Sequence, residues 1–417
     1  MSELFPVLFS AVMILILGAI EIFLIWSLNH PWWKKKWIRN SSIYLPVSGL
    51  GGIILWALAV VASSADSPLR SIGVIITSVV VVFELALMFS LPISGILHYI
   101  HFAQGWFSKK FRSADQHELN VNRRIFLKNA AAIVPVFTIL MSGTGVASSF
   151  AAVRTPLIWL FYQNLPPALE GFRILHLTDM HLGYYVGLQE LEEFLLRLQG
   201  QKFDLILLTG DISDKYEILP RTLKSISELK PAHGAFASVG NHEYYRGIRE
   251  ARKIFEASPI PLLLNQGVVL PIRETSLYIA GTDDPVYLGR DITTFMKNTV
   301  DKSLAGAPSD VFHLLMSHRP GGFNRAAELG VHFTLSGHTH GGQIGFNGRS
   351  AFESMMPQRY LCGHYQKECS QLYTLFRIKN ALIISLDAFD SLSVRQISGH
   401  FESGINRTSG LGQKLAS

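Results

Sequence analysis

Four long apolar runs dominate the first 153 residues of this 417-residue chain, at about 4–28, 43–63, 71–100 and 130–153. Each is roughly 20 residues or longer, which as a helix rising 1.5 Å per residue is enough to cross a hydrocarbon core of about 30 Å. A backbone placed in lipid must satisfy its own hydrogen bonds, so such runs are restricted to helices. The mean hydropathy of +0.26 and the 16% of charged residues are unusual for a soluble enzyme. Buried helices of a soluble protein would also show polar faces, which these runs mostly lack. A bundle of four transmembrane helices is therefore expected over residues 1–153. A second domain is expected over 154–400, followed by a frayed polar tail at 401–417.

Orientation follows from the basic residues between the runs. The first connection carries Lys34, Lys35, Lys36 and Arg39, and the third carries Lys109, Lys110, Arg112, Arg123, Arg124 and Lys128. The second has only Arg70, and the amino-terminal stub has none. The excess of positive charge on cytoplasmic loops puts connections one and three inside the cell. An integral protein of the cell inner or plasma membrane is expected, with everything after about residue 154 extracytoplasmic. Trp32, Trp33 and Trp37 fall where an interfacial aromatic belt belongs. The net charge of +6 sits largely in these juxtamembrane clusters, so the bilayer is the expected partner and nucleic acid is not. Residues 122–128 (NRRIFLK) resemble a twin-arginine export signal, and the small residues at 148–152 offer a cleavage site, although retention in the membrane is expected. Glu21 and Glu84 interrupt the apolar runs and are read as protonated or hydrogen-bonded packing groups between helices. Cys362 and Cys369 are too few for a disulfide framework, and whether they pair is left open by the sequence.

From residue 172 onward the pattern changes. Short apolar strands are predicted at 172–178, 203–209, 235–239, 313–317, 331–336 and 381–386, and leucines at helical spacing predict a helix over 188–198. Alternation of strands with helical segments indicates an α/β domain, in which ligand sites gather beyond the carboxyl ends of strands.

What lies at those ends is chemically selective. The first strand runs into Asp179-Met180-His181, the second into Gly210-Asp211 and the third into Gly240-Asn241-His242-Glu243. The fourth runs into His318, and the fifth into Gly337-His338-Thr339-His340. In an extended backbone, side chains at i and i+2 leave from the same face, so His338 and His340 are expected to converge, as are Asp179 and His181. The glycines at 337, 341 and 342 permit close approach of the main chain. Five strands ending in side chains able to bind a metal point to a metal centre; mixed oxygen and imidazole donors suit Mn²⁺, Zn²⁺ or iron.

The order Asp-x-His, Gly-Asp, Gly-Asn-His-Glu, His, Gly-His-x-His resembles the calcineurin-like metallophosphoesterase family over about residues 165–400. Leu165-Pro166-Pro167, Gly171-Phe172-Arg173-Ile174 and the Gly-Gly-Gln after His340 are similar to its membrane-associated branch. The resemblance implies a β-sandwich flanked by helices rather than one doubly wound sheet. It also implies two divalent metal ions, Mn²⁺ by preference and Zn²⁺ or iron as alternatives. One would be held by Asp179, His181, Asp211 and His340, and the other by Asp211, Asn241, His318 and His338, with Asp211 bridging. Such a pair acidifies a bridging water and clamps the attacking and leaving oxygens of an in-line displacement. His242 would protonate the leaving oxygen or stabilise charge, while Asp214 and Glu243 would orient the histidines.

Other polar residues rank lower. His176 and His313 are expected to be core histidines; Asp283 and Asp284 form a turn and are not ligands; Arg319 and His364 are candidates for substrate phosphate. Leu386-Asp387-Ala388-Phe389-Asp390 replaces the glycine-rich turn expected of the branch, which separates this chain's substrate loop from its relatives. The function expected is a membrane-anchored phosphoesterase acting on phosphodiesters or lipid-linked phosphates. A catalytically silent metal-stapled sensor or scaffold, and transport by the membrane helices, are the alternatives. Oligomeric state is not readable from the sequence.

Overall fold

The structure is a computed structural model describing residues 4–62, 68–110, 117–149, 155–183, 186–286, 291–342, 345–346, 349–350, 353–356, 359–375 and 381–388. The expected tail at 401–417, the junction at 150–154, Gln343, Phe389 and Asp390, and the side chains of Arg123, Arg124 and Ser148 lie outside the description. The chain divides into two compact units, Met1–Ala151 and Ala152–Ser417.

The apolar runs of the first unit are helical, because nothing else satisfies their backbones in an apolar setting. They form α1 (Leu4–Ser27), a one-turn α2 (His30–Trp33), α3 (Lys36–Val61), α4 (Pro68–Lys110) and α5 (His117–Ser149). Four of the helices contain stretches long and apolar enough to cross a membrane: Leu4–Ser27, Lys36–Val61, Pro68–Ala103 and Ile125–Ala147. The last two helices run well beyond the apolar runs that announce them. Glycine decides how closely α3 and α4 approach. A Cβ on Gly73 would lie 2.6 Å from the carbonyl oxygen of Gly52, so small residues let two backbones meet where side chains would hold them apart. Val7, Ile14, Ile53 and Val80 fill the space between α1, α3 and α4. Large apolar side chains such as Phe9, Phe23, Ile54 and Phe137 remain exposed on the outer faces.

The second unit opens with β1 (Leu157–Tyr162), β2 (Phe172–Leu177), α6 (Leu188–Leu198), β3 (Leu205–Thr209), α7 (Leu219–Ser227) and β4 (Ala235–Ser238). There follow α8 (Asn241–Arg246), α9 (Ile248–Glu256), β5 (Gln266–Ile272), β6 (Thr275–Gly281), α10 (Ile292–Leu304), β7 (Phe312–Met316), α11 (Phe323–Glu328) and β8 (Phe333–Ser336). Two short strands, β9 (Gly345–Phe346) and β10 (Arg349–Ser350), precede β11 (Gly363–Lys367), β12 (Ser370–Thr374) and β13 (Ala381–Ala388). One mixed sheet has the order β1-β13-β2-β3-β4, and the other β11-β12-β8-β7-β6-β5. Within the first, β2, β3 and β4 are parallel neighbours; within the second, β6, β7 and β8 are.

Strands apolar on both faces require both faces to be covered, and the period of two sorts their residues accordingly. Leu205 and Leu207 of β3 pack in one core with Leu277 and Ile279 of β6 and Leu314 of β7, which places that core between the sheets. Ile206 and Leu208 turn the other way, joining Leu191, Leu195, Leu223 and Phe255 from α6, α7 and α9. On the far side, Tyr278, Ala280 and Leu315 meet Val300 of α10 and Ala326 of α11. The result is a sandwich of two sheets with helices on both outer faces, as the resemblance implied.

The two cysteines lie at opposite ends of a hairpin: Cys362 precedes β11, and Cys369 sits in the turn before β12. Five residues of strand put them about 17 Å apart, beyond the 7 Å that a disulfide allows between Cα atoms. Neither is in a disulfide; Cys362 is buried and Cys369 exposed.

Leu314→Ala, at a fully buried position between the sheets, should destabilise the second unit by about 2–5 kcal/mol, whereas Leu314→Met should cost less than about 1.5 kcal/mol. Thermal unfolding of the full chain in detergent, followed by amide exchange in β7, checks the difference.

Candidate metal centre

Each candidate side chain sits just past the carboxyl end of a parallel strand: Asp179 and His181 after β2, Asp211 after β3, Asn241 and His242 after β4, His318 after β7, and His338 and His340 after β8. The two sheets meet at this edge. Nδ1 of His318 lies 2.9 Å from the carbonyl oxygen of Thr209, linking β7 of one sheet to β3 of the other.

The donors form two neighbouring groups. Asp179, His181 and His340 offer ligand atoms within 4.8 Å of one another, and so do Asp211, His318 and His338. A third combination at the same spacing takes His181, Asp211 and His242. Asp211 joins the two sides, for its Oδ2 lies 3.7 Å from Nε2 of His181 and 3.1 Å from Nε2 of His318. Asn241 is buried with its Oδ1 lacking any hydrogen-bond partner among the described residues. An orphaned buried amide oxygen is costly unless something electropositive meets it, and a cation does that. His318 reports the same surplus of negative charge. Burial opposes its imidazolium, but the carboxylates of Asp211 and Asp179 outweigh burial, and it is pushed up to about 10. His338 goes the other way: burial, with His318 and Arg319 beside it, lowers it to about 2 and leaves a neutral imidazole. This mixture of carboxylate, amide oxygen and imidazole fits two hard or borderline divalent cations.

The expectation that His338 and His340 point at one spot does not hold. Neither is in extended backbone: φ is 67° at His338 and 47° at His340, in the left-handed region, and the two histidines join different groups. Asp179, His181 and Asp211 share that conformation with φ of 52°, 45° and 50°. Non-glycine residues held there are strained, and such positions cluster where a site dictates the backbone. Gly337 explains how the loops fit together, because a Cβ there would run into the Asp179 carboxylate. That carboxylate accepts the backbone N–H of His338 at 3.0 and 3.1 Å.

Two further carboxylates hold the ligands in place. Oδ2 of Asp214 lies 3.1 Å from Nδ1 of His181, and its Oδ1 lies 2.6 Å from Nδ1 of His242 and accepts the Nε–H of Arg246 at 3.0 Å. Burial works against its charge, yet these three partners keep its carboxyl well below the usual range. Glu243 was expected to orient histidines and touches none of them. Its buried carboxylate accepts three backbone N–H groups: Gly240 at 2.7 Å and Asp211 at 2.9 Å on Oε2, and Ile212 at 2.8 Å on Oε1. It is the third residue of α8, so its side chain folds back over the helix amino terminus and reaches the neighbouring strand end.

His242 is one-quarter exposed, the most open side of the cluster, and its ring meets that of His181 edge-on at 4.3 Å. Burial lowers its proton affinity, but Asp214 and Asp211 more than compensate, so its pKa is raised. Tyr245, three residues on and exposed, lies 5.5 Å from the His242 ring. The sequence reading passed over Tyr245 and Arg246, although their i+3 and i+4 spacing from His242 on one helix was available.

Other expectations resolve individually. His176 is fully buried and paired through Nε2 with Thr209 at 3.0 Å; His313 is paired through Nε2 with the Pro308 carbonyl at 2.6 Å; neither belongs to the donor groups. Asp284 is not a bare turn residue. It clamps the Arg319 guanidinium at 2.9 and 3.3 Å, whose third nitrogen lies 2.8 Å from Nε2 of His338. Arg319 thus borders the site, whereas His364 is engaged on β11 by Gln371 at 2.8 Å.

Residues 172–342 match the calcineurin-like phosphoesterase family. A transmembrane protein with metallophosphoesterase domain from Bos taurus is 28% identical over 54% of this chain and 52% of its own length. An uncharacterized metallophosphoesterase from Aquifex aeolicus is 30% identical over 45% of this chain and 69% of its own. The chain spans about half to two thirds of the length of the curated relatives it matches. Among solved structures, a 5'-nucleotidase precursor from Thermus thermophilus aligns with a TM-score of 0.34 at 12% identity, over 56% of this chain and 59% of that one.

Glu243→Gln would turn an amide donor toward three N–H donors. It should weaken Mn²⁺ binding by about 10- to 100-fold, measured by titrating the full chain in detergent with Mn²⁺, while leaving the helical content of the first unit unchanged.

Proposed function

This chain belongs to the calcineurin-like metallophosphoesterase family, and from that premise we propose that it is a membrane-anchored two-metal phosphoesterase, cleaving phosphodiesters or lipid-linked phosphates. The observation that supports this best is the pair of neighbouring donor groups joined through one oxygen of Asp211. Asp179, His181, Asp211 and His340 would hold one ion, and Asp211, Asn241, His318 and His338 the other. When bound, the ions would lower the pKa of a water and neutralise charge on the attacking and leaving oxygens.

The chain's own residues divide the remaining work. Asp214 fixes the ring of His181 through Nδ1 and so leaves its Nε2 facing Asp211. The same carboxylate keeps Nδ1 of His242 engaged, which presents the other nitrogen of that open ring to a substrate. His242 then supplies a proton to the departing oxygen, a contribution of about 10²- to 10⁴-fold. Arg319, anchored by Asp284, offers fixed positive charge beside His338 where a phosphate oxygen would rest. The preference for a phosphodiester or lipid-linked phosphate is supported by the four apolar helices carried on the same chain. Mn²⁺ is the metal we favour, with Zn²⁺ or iron able to use the same donors.

Hydrolysis of an activated aryl phosphodiester by the detergent-purified chain in Mn²⁺ tests the reading. Asp211→Ala should abolish turnover together with Mn²⁺ binding, whereas His242→Ala should retain Mn²⁺ and lose about 10²- to 10⁴-fold in kcat. Turnover unchanged in both variants would sink the assignment. The basic clusters in connections one and three support an extracytoplasmic catalytic domain. A reporter active only in the cytoplasm, fused after Ser417, should therefore stay silent, and a strong signal would reverse the orientation.

A further inference from the structure

The first unit buries two carboxyl groups that the phosphoesterase reading does not use. Glu21 on α1 and Glu84 on α4 are 3% and 0% exposed. Oε2 of Glu21 and both oxygens of Glu84 are buried without a hydrogen-bond partner among the described residues. The two side chains share one place in the bundle. Gly18, one turn before Glu21 on α1, packs against both α3 and α4: a Cβ there would lie 2.9 Å from Cβ of Pro46 and 3.4 Å from Oε1 of Glu84.

The surroundings differ on the two sides. Toward one end the bundle is closed by apolar contact, since a Cβ on Gly49 would lie 2.7 Å from Cδ1 of Ile14 and 2.8 Å from Cγ1 of Val80. Toward the other end lies a polar group. Asn29 donates to the Leu91 carbonyl at 3.0 Å, its Oδ1 accepts the Ser94 hydroxyl at 3.1 Å, and Nδ1 of His98 lies 2.8 Å from the same oxygen. Glu84, Leu91 and His98 recur at intervals of seven and so lie along one face of α4.

Among the described residues, no basic side chain is positioned to neutralise the pair. Helix α1 has none; Arg39 precedes Pro46 on α3 by seven residues, about 10 Å, and Arg70 precedes Glu84 on α4 by fourteen, about 20 Å. Lys128 on α5 is exposed, and the histidines of α4, His98 and His101, stand at least fourteen residues beyond Glu84. Two buried carboxylates without counter-charge are not tolerated in an apolar interior; each must gain a positive partner.

We propose that Glu21 and Glu84 form a site for a small monovalent cation, a proton or an alkali-metal ion, within the helical unit. A proton shared by the pair makes one carboxyl a donor and satisfies oxygens that otherwise have no partner. The cation exchanges through the polar side, past Asn29, Ser94 and His98, because the other side is sealed by Ile14 and Val80. Occupancy of the site does not depend on hydrolysis, so its test is independent of the phosphoesterase reading.

Infrared spectra of the full-length protein in lipid nanodiscs, compared with Glu21→Gln and Glu84→Gln, provide that test. Spectra are taken from about pH 5 to about pH 10 with choline as the only added cation, and again at fixed pH with Na⁺ or K⁺ added. If the ligand is a proton, the wild type shows a protonated-carboxyl band of about one group per chain that fades as pH rises and is missing from both variants. If it is an alkali ion, that band disappears at fixed pH when Na⁺ or K⁺ is added. Wild-type carboxyl bands that respond to neither pH nor salt would identify the two glutamates as static packing groups and overturn the proposal, whether or not the variants fold. A response of equal size in wild type and folded variants would overturn it as well.

Discussion

The metal centre depends on one buried carboxylate that stands outside the donor groups. Glu243 gathers the N–H groups of Gly240, Asp211 and Ile212, so the loop after β4 and the loop after β3 are fixed to each other by three charge-assisted hydrogen bonds. Asp211, the residue shared between the donor groups, takes its position from this knot, and Asn241 begins the helix on which Glu243 lies. From Asp211 the order spreads outward. Its Oδ1 accepts the backbone N–H of His242 at 2.9 Å, and its Oδ2 faces His181 and His318.

Across the site Asp179 plays a similar part for the other sheet. It accepts the amide of His338, while Thr178 donates both to it and to the Thr209 carbonyl. The backbone energy spent in holding Asp179, His181, Asp211, His338 and His340 at positive φ is offset by the packed sheets behind them. Strand cores shared across the sandwich keep the five strand ends level, and the two sheets could not slide without separating the donors. Stability of the sandwich and geometry of the site are therefore one problem.

The helical unit poses the opposite problem. Its helices meet through glycine and through apolar side chains, with most large residues facing outward, and the few buried polar groups are concentrated around α4. Asn29, Ser94 and His98 satisfy one another, whereas Glu21 and Glu84 do not. That contrast between a closed polar network and an open one within the same bundle is what singles out the carboxyl pair.

Strands with strong apolar runs, and the helix at Leu188–Leu198, were legible because local pattern alone defines them; their ends agree with the structure to within about two residues. The donor residues were legible for the same reason, each being attached to a strand end. Most of the missed strands have a pattern that is weaker or shared with something else, whereas β6 was missed although its Leu277, Tyr278, Ile279 and Ala280 form a buried apolar run. β5 contains Pro271 and lies at an edge, β11 is largely polar, and β1 follows closely on the fourth apolar run and reads as its continuation. By itself, then, the sequence determined which residue types stand at the strand ends, because short-range periodicity and turn chemistry are written locally. Tertiary structure alone decided that His338 and His340 leave the extended backbone, that Glu243 binds backbone rather than histidine, and that Glu84 packs beside the turn of α1 that carries Glu21. Those facts rest on left-handed backbone and on contacts between segments far apart in the chain, and neither leaves a local signal.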